Sequence, residues 1–85
     1  MEIYWVYVLK SDKDGKYYIG QTNRFVSRMF RHITSQVRAT KNRLPIRFVS
    51  VELVYSRKDA VYLEKKIKSY KGGRAFYNYL NNSAE

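Results

Sequence analysis

Apolar residues in this chain gather in short segments rich in β-branched and aromatic side chains, separated by polar stretches, a pattern typical of strands. These segments are residues 3–10, 17–22 and 47–56. Residues 11–16, between the first two, contain Asp14-Gly15, a pair that supplies the positive φ angles of a hairpin loop. We therefore predict that the first two strands form a hairpin, with Tyr7 and Tyr18 facing each other across it.

Two further segments have the period of an amphipathic helix. Asn23 is a suitable N-cap for the first, which covers residues 24–36. At about 100° per residue, four side chains form an apolar arc. They are Phe25, Val26, Met29 and Ile33. Arg28 and His32 lie together along one edge of this arc, so we expect both to border the sheet.

The second helix is predicted to open at Ser56 and to run to Tyr70, with Glu64 at the margin of its buried stripe. The stripe consists of Ala60, Leu63, Ile67 and Tyr70. Gly72-Gly73 ends the helix, and residues 74–82 form either a short terminal helix or an extended arm. The pattern as a whole predicts one α/β (α+β) domain over residues 1–85, in which helices flank a three-stranded antiparallel sheet.

The charge of the chain indicates a polyanionic partner. Seventeen Lys and Arg against seven Asp and Glu give a net charge of +10. Fourteen aromatic residues supply the apolar area that disordered basic tails lack. The chain has no cysteine, no recognisable signal peptide and no apolar run near the roughly 18 residues that span a bilayer, so we expect a cytoplasmic protein without a membrane partner.

Five features in order resemble the GIY-YIG nuclease superfamily. Trp5-Val6-Tyr7 stands where the family has Gly-Ile-Tyr, and Tyr18-Ile19-Gly20 matches its second motif. Arg28 and His32 match residues of the family's first helix, and Glu64 matches its metal-binding glutamate. The segment KKIKSYKGGRAF is similar to the ending of small stand-alone bacterial members, which resemble the N-terminal catalytic domain of the excision-repair protein UvrC.

The resemblance implies a metal-dependent endonuclease that cleaves DNA, with RNA not excluded, and a place in DNA repair. It casts Tyr7 as general base and Glu64 as ligand of one Mg²⁺ or Mn²⁺. Tyr18 would then hydrogen-bond or orient the water or the phosphate, and His32 would share the base role or hold the phosphate. Arg28 suits the scissile phosphate because its planar fork binds phosphate bidentately. We expect the remaining nucleic-acid contacts from Lys16, Gly20, Arg31, Arg38, Lys41, Arg43 and Asn78, with Asn81 as a rival to Asn78 for the family's late asparagine.

Other interpretations of the same residues stay open. Tyrosines on adjacent strands commonly form a packed cross-strand pair, and Glu64 is spaced to pair with Lys68 on the helix surface. A phenol with a pKa near 10 is only about 0.1% ionised at pH 7, so Tyr7 needs a positive field to act as a base. A catalytically idle nucleic-acid-binding module and a basic domain that binds an acidic protein therefore remain alternatives.

Overall fold

A three-stranded antiparallel sheet and three helices make up the part of the chain that the computed structural model describes, residues 3–34 and 44–83. The elements are β1 (Tyr4–Ser11), β2 (Tyr17–Thr22), α1 (Phe25–Ile33), β3 (Ile46–Val54), α2 (Arg57–Ser69) and α3 (Arg74–Ser83). The strands lie in the order β2-β1-β3. This confirms the predicted fold class, and the segment from residue 74 is a helix rather than an extended arm. Arg38, Lys41 and Arg43 lie outside the described residues.

The β1–β2 hairpin forms as predicted but in a different register. The Ser11 hydroxyl accepts hydrogen bonds from the Lys13 and Asp14 amides, and Gly15 has a φ of +72°. The turn sets β1 against β2 so that Tyr7 lies opposite Gly20 and not opposite Tyr18. The expected direct Tyr7–Tyr18 pair is therefore wrong. The two tyrosines still share one face of the sheet, because Tyr18 lies two residues from Gly20.

The main core lies on the face of the sheet that packs against α2 and α3. Val6 and Val8 of β1 are completely buried there. They contact a cluster of helix residues, namely Ala60, Ile67, Phe76 and Leu80. The Ser56 hydroxyl accepts a hydrogen bond from the Asp59 amide, which confirms the predicted start of α2. After α2 the chain turns through Lys71 and Gly72, both with positive φ, into α3.

Helix α1 lies on the opposite face of the sheet and is rotated from its predicted orientation. Its N-cap is Arg24 rather than Asn23, without a side-chain cap, and it ends at Ile33. Phe25 packs between Trp5 and Phe48, with ring centroids 5.5 Å apart in both pairs. The sheet covers the apolar arc only in part. Val26 and Ile33 are 81% and 62% exposed, because the inward side of the helix is centred on Phe25 and the buried His32.

Candidate active site

A cavity of about 610 Å³ opens beside β2, between α1, the sheet and α2. Strands β1 and β2 and helices α1 and α2 each contribute polar side chains to the cavity wall. The lining includes all five residues predicted to be catalytic, Tyr7, Tyr18, Arg28, His32 and Glu64. The two tyrosines come from the hairpin, Arg28 and His32 from one side of α1, and Glu64 from the middle of α2. Residues far apart in the sequence thus meet at one opening.

The Tyr7 hydroxyl is the meeting point of the cluster. Its oxygen lies 3.3 Å from Nε2 of His32 and accepts a long hydrogen bond of 3.4 Å from Nε of Arg28. The tyrosine and histidine rings meet edge to face, with centroids 5.7 Å apart. Tyr7 and His32 are 2% and 4% exposed, whereas Arg28 is half-buried. The hydroxyl of this β1 residue is therefore held by two side chains of α1.

His32 is held in its neutral form. Burial, followed by the positive charges of Arg28 and Arg31, lowers the pKa of His32 below its ordinary value of 6.5. In the neutral imidazole that carries its proton on Nδ1, Nε2 is an acceptor and faces the Tyr7 O–H. With that tautomer, the Tyr7 hydroxyl donates its hydrogen to Nε2 of His32.

Gly20 leaves the space that the Tyr7 ring occupies. A Cβ atom placed on Gly20 lies 2.5 Å from the Tyr7 oxygen and 2.7 Å from the adjacent ring carbon, far inside van der Waals contact. We expected this glycine to let a phosphate approach the strand. In the structure, its missing side chain also allows Tyr7 to lie across the neighbouring strand.

Glu64 presents one carboxylate to the cavity and shares it with a lysine. Its Oε2 accepts a hydrogen bond of 2.6 Å from Nζ of Lys68, one turn later on α2, so the i, i+4 pair occurs. No group of three or more His, Asp or Glu side chains suited to a metal occurs among residues 3–34 and 44–83. A single carboxylate fits Mg²⁺ or Mn²⁺ only where phosphate oxygens and waters complete the ligand set.

The cavity wall is strongly positive. Arg28, Arg57 and Lys68 line it together with Glu64, the single carboxylate among its described lining residues. Sequence reasoning missed Arg57, although it lies seven residues before Glu64 and therefore on the same stripe of α2. Arg57 is the first residue of α2, where the helix dipole disfavours a positive charge. This unfavourable position was the available sign that Arg57 has a functional role.

Several predicted nucleic-acid contacts lie away from the cavity. Lys16 is exposed in the hairpin turn, and Asn78 and Asn81 are exposed on α3. None of these three lines the cavity. Arg31 is exposed on α1 and borders a smaller depression next to Arg28.

No helix in the described residues is long and apolar enough to cross a membrane.

Comparisons with known proteins identify the family of the chain and a solved structure with a similar fold. The model of the GIY-YIG catalytic domain family matches residues 3–78. Among solved structures, the UPF0213 protein BH0048 from Bacillus halodurans, determined by solution NMR, is similar with a TM-score of 0.56 and 26% sequence identity. The match covers 94% of this chain and 83% of that one. No curated protein matches the sequence. The family match spans nearly the whole chain, which therefore belongs to the GIY-YIG family of nuclease domains.

Proposed function

We propose that this protein is a metal-dependent endonuclease that hydrolyses phosphodiester bonds in DNA, at the cavity between α1, the sheet and α2. The observation that carries the proposal is the convergence of the Tyr7–His32–Arg28 cluster and Glu64 on one positive cavity. Phosphodiester hydrolysis needs an activated water and groups that neutralise charge on the phosphate and the leaving oxygen. The cavity offers a residue for each task.

Arg28 holds the scissile phosphate. In the described part of the chain, its guanidinium makes one hydrogen bond, from Nε to the Tyr7 hydroxyl. Its two terminal amino groups are then available to two phosphate oxygens, which is the bidentate geometry that arginine favours. Arg57 adds positive charge on the opposite wall of the cavity. The phosphate is thus fixed next to the Tyr7 oxygen.

Tyr7 and His32 together remove a proton from the attacking water. The neutral His32 accepts the phenol proton at Nε2, and the Tyr7 oxygen takes the proton that the water loses. The hydrogen bond from Arg28 stabilises negative charge on that oxygen during the transfer. Tyr18, which lines the same cavity, orients the water or the phosphate.

Glu64 is the protein ligand of the metal in this proposal. A divalent cation bound there supplies positive charge to the phosphate and to the leaving oxygen. Glu64 must first exchange its contact with Lys68, whose side chain is 54% exposed and free to turn toward the phosphate backbone. Before a metal binds, the ion pair with Lys68 holds the Glu64 carboxylate in place.

A panel of labelled nucleic acids tests the proposal. Single-stranded, duplex, nicked and branched DNA and matched RNAs are incubated with the protein and Mg²⁺, Mn²⁺ or EDTA. We expect cleavage of at least one DNA with a metal present and none with EDTA. Intact substrates under every metal condition, or cleavage unaffected by EDTA, would contradict the proposal.

A catalytically idle nucleic-acid-binding module is the second candidate, and one observation favours it. The Glu64–Lys68 ion pair occupies the carboxylate that a metal requires. The charge of +10 is sufficient for salt-dependent binding without chemistry. Tight, salt-sensitive binding of DNA without cleavage in the same panel identifies this alternative.

A further inference from the structure

Strand β3 and the outer side of α1 form an exposed apolar surface away from the cavity. Among the described residues, β3 has one strand neighbour, β1, so its other edge pairs with no strand. Six large apolar residues on this side of the molecule are between 41% and 81% exposed. They are Phe48, Val51 and Leu53 on β3 and Val26, Phe30 and Ile33 on α1. We call these six residues the β3–α1 surface.

The exposed apolar side of α1 overhangs the β3 half of the sheet. Phe25 and His32 mark the inward direction of the helix. At about 100° per residue, Arg28 lies roughly 60° to one side of Phe25 and reaches the cavity beside β2. The three exposed residues of α1 lie roughly 80° to 140° to the other side. That side adjoins β3, where Phe48 already contacts the ring of Phe25.

The sequence of β3 is complementary to itself in one antiparallel register. When a second copy of β3 is centred between Val49 and Ser50, Arg47 lies opposite Glu52 of the second copy. The same register sets Phe48 opposite Val51 and Ile46 opposite Leu53, so charge meets opposite charge and apolar residues meet apolar residues.

The side chains of each such pair project from the same face of the sheet. Arg47 and Glu52 pair with Lys10 and Val6 of β1, which are four residues apart and so share a face. Phe48 and Val51 pair with Leu9 and Tyr7, which share the other face. In a regular strand, Arg47 and Glu52 would project from opposite faces, because they are five residues apart. Val49 has no partner on β1, and this one extra residue places both side chains on the same face. A two-fold axis perpendicular to the sheet preserves both faces.

We propose that the protein forms a homodimer through antiparallel pairing of β3 with β3 of a second copy. The result is a six-stranded sheet over which the two α1 helices face each other. The six apolar residues leave on the order of 600 Å² accessible per copy, so about 1,200 Å² becomes buried in total, the lower bound for a specific interface. Each cavity then lies beside its own β2, at the two outer edges of the combined sheet. The dimer does not depend on nuclease activity.

Exchanging the charges at Arg47 and Glu52 tests the proposed register between the two copies of β3. Sedimentation equilibrium from about 10 to 500 µM in about 0.3 M salt, which screens the repulsion between two chains of charge +10, measures the dimer Kd. We expect Arg47→Glu and Glu52→Arg each to weaken dimerisation about tenfold or more, because each places like charges opposite twice per dimer. The double variant should recover dimerisation to within a few-fold.

Recovery of dimerisation in the double variant separates the contact between copies from contacts within one chain. Arg47 and Glu52 also contact Asp12 and the Tyr79 hydroxyl within their own chain, and the double variant does not restore those contacts. A wild-type protein that stays monomeric over the whole range would overturn the proposal. A double variant no better than the single variants would overturn it as well.

A second pair of variants tests the α1 residues of the β3–α1 surface. Phe30→Glu should weaken dimerisation at least about tenfold and leave the fold intact, since Phe30 is 58% exposed. Tyr62→Glu is the control, because Tyr62 is 66% exposed on α2, on the opposite face of the sheet. Equal effects of the two substitutions would show that another surface mediates association and would overturn the proposal.

Discussion

At the scale of single residues, the site depends on the position of one hydroxyl group. The Tyr7 oxygen is in contact with an arginine and with a neutral histidine, and the absence of a side chain at Gly20 allows its ring to lie there. A buried tyrosine with one acceptor and one cationic donor is a more specific arrangement than a packed cross-strand pair. The register supports this distinction, because Tyr7 has no tyrosine opposite it.

Replacing Arg28 by lysine should remove most of the cleavage activity. One ammonium group keeps the charge but cannot contact two phosphate oxygens and the Tyr7 hydroxyl together, so we expect a loss of about 10²-fold in kcat. Arg31→Lys is the matched control, since Arg31 is exposed on the same helix. It should change cleavage little. Equal kinetic losses in the two variants would show that Arg28 is only a general phosphate contact.

Replacing Tyr7 by phenylalanine should cost roughly 10²-fold or more in the cleavage rate. The ring remains packed, so the free energy of unfolding should fall by only about 1 kcal/mol for the lost hydrogen bonds. In the wild type, the rate should rise with pH below 6.5, where the lowered pKa of His32 lies, and level off above it, because only the neutral imidazole can accept the phenol proton. Single-turnover rates at saturating metal measure both effects.

The control for this substitution is Tyr17→Phe. Tyr17 packs against Phe76 on the other face of the sheet, so its loss of a hydroxyl should leave the rate unchanged. If Tyr7→Phe cleaves at nearly the wild-type rate and Tyr18→Phe or His32→Ala does not, the base is one of those two residues.

Replacing Gly20 by alanine should displace the Tyr7 ring. The added methyl group overlaps the phenol, and relief of the overlap should lower the free energy of unfolding by about 1–3 kcal/mol. The cleavage rate should fall because the hydroxyl moves away from His32 and Arg28. Gly73→Ala is the control, since its Cβ lies 3.4 Å from the Tyr70 carbonyl oxygen. Denaturant unfolding and cleavage assays with wild-type values for Gly20→Ala would contradict the packing argument.

At the scale of elements, α1 determines both the site and the exposed apolar surface. Sequence periodicity correctly placed Arg28 and His32 side by side, next to the sheet. It could not predict how far the helix is rotated, because apolar periodicity does not show which neighbours are present to cover the arc. The aromatic contacts of Phe25 fix that rotation instead.

The strands and α2 were more predictable than the contacts between elements. The turn residues of the hairpin and the Ser56 cap act within a few residues of the chain, so the sequence shows them directly. The pairing of Tyr7 with Gly20 and the position of Arg57 on the cavity wall depend on register and on packing between elements. Neither is visible in a local pattern.

The docking of α1 should become weaker in mild acid. The lowered pKa of His32 means that the unfolded chain binds a proton more readily than the folded one, so the free energy of unfolding should fall as the pH decreases below 6.5. His32 is the single histidine of the sequence, which assigns this change to one group. Urea unfolding of the wild type and of His32→Gln between pH 7.5 and 5 measures it. An equal slope in both proteins would contradict the assignment.

At the scale of the whole molecule, the two faces of the sheet have different tasks. One face buries the main core against α2 and α3, and the other carries α1 and most of the residues proposed as catalytic. The cavity extends around β2 to reach Glu64 on α2, so the site contains residues from both sides. Because the sheet lies between α1 and α2, it fixes the distance between the Tyr7–His32–Arg28 cluster and the Glu64 carboxylate.

The most direct test of the account is metal-dependent cleavage by Glu64→Gln. Glu64 is the proposed metal ligand, and the substitution removes the negative charge while keeping the shape of the side chain. We predict that Glu64→Gln binds DNA with a Kd close to that of the wild type and does not cleave it at any Mg²⁺ or Mn²⁺ concentration. Asp59→Asn, the same change at an exposed position on the same helix, should cleave normally. Retained metal-dependent cleavage by Glu64→Gln would contradict the account.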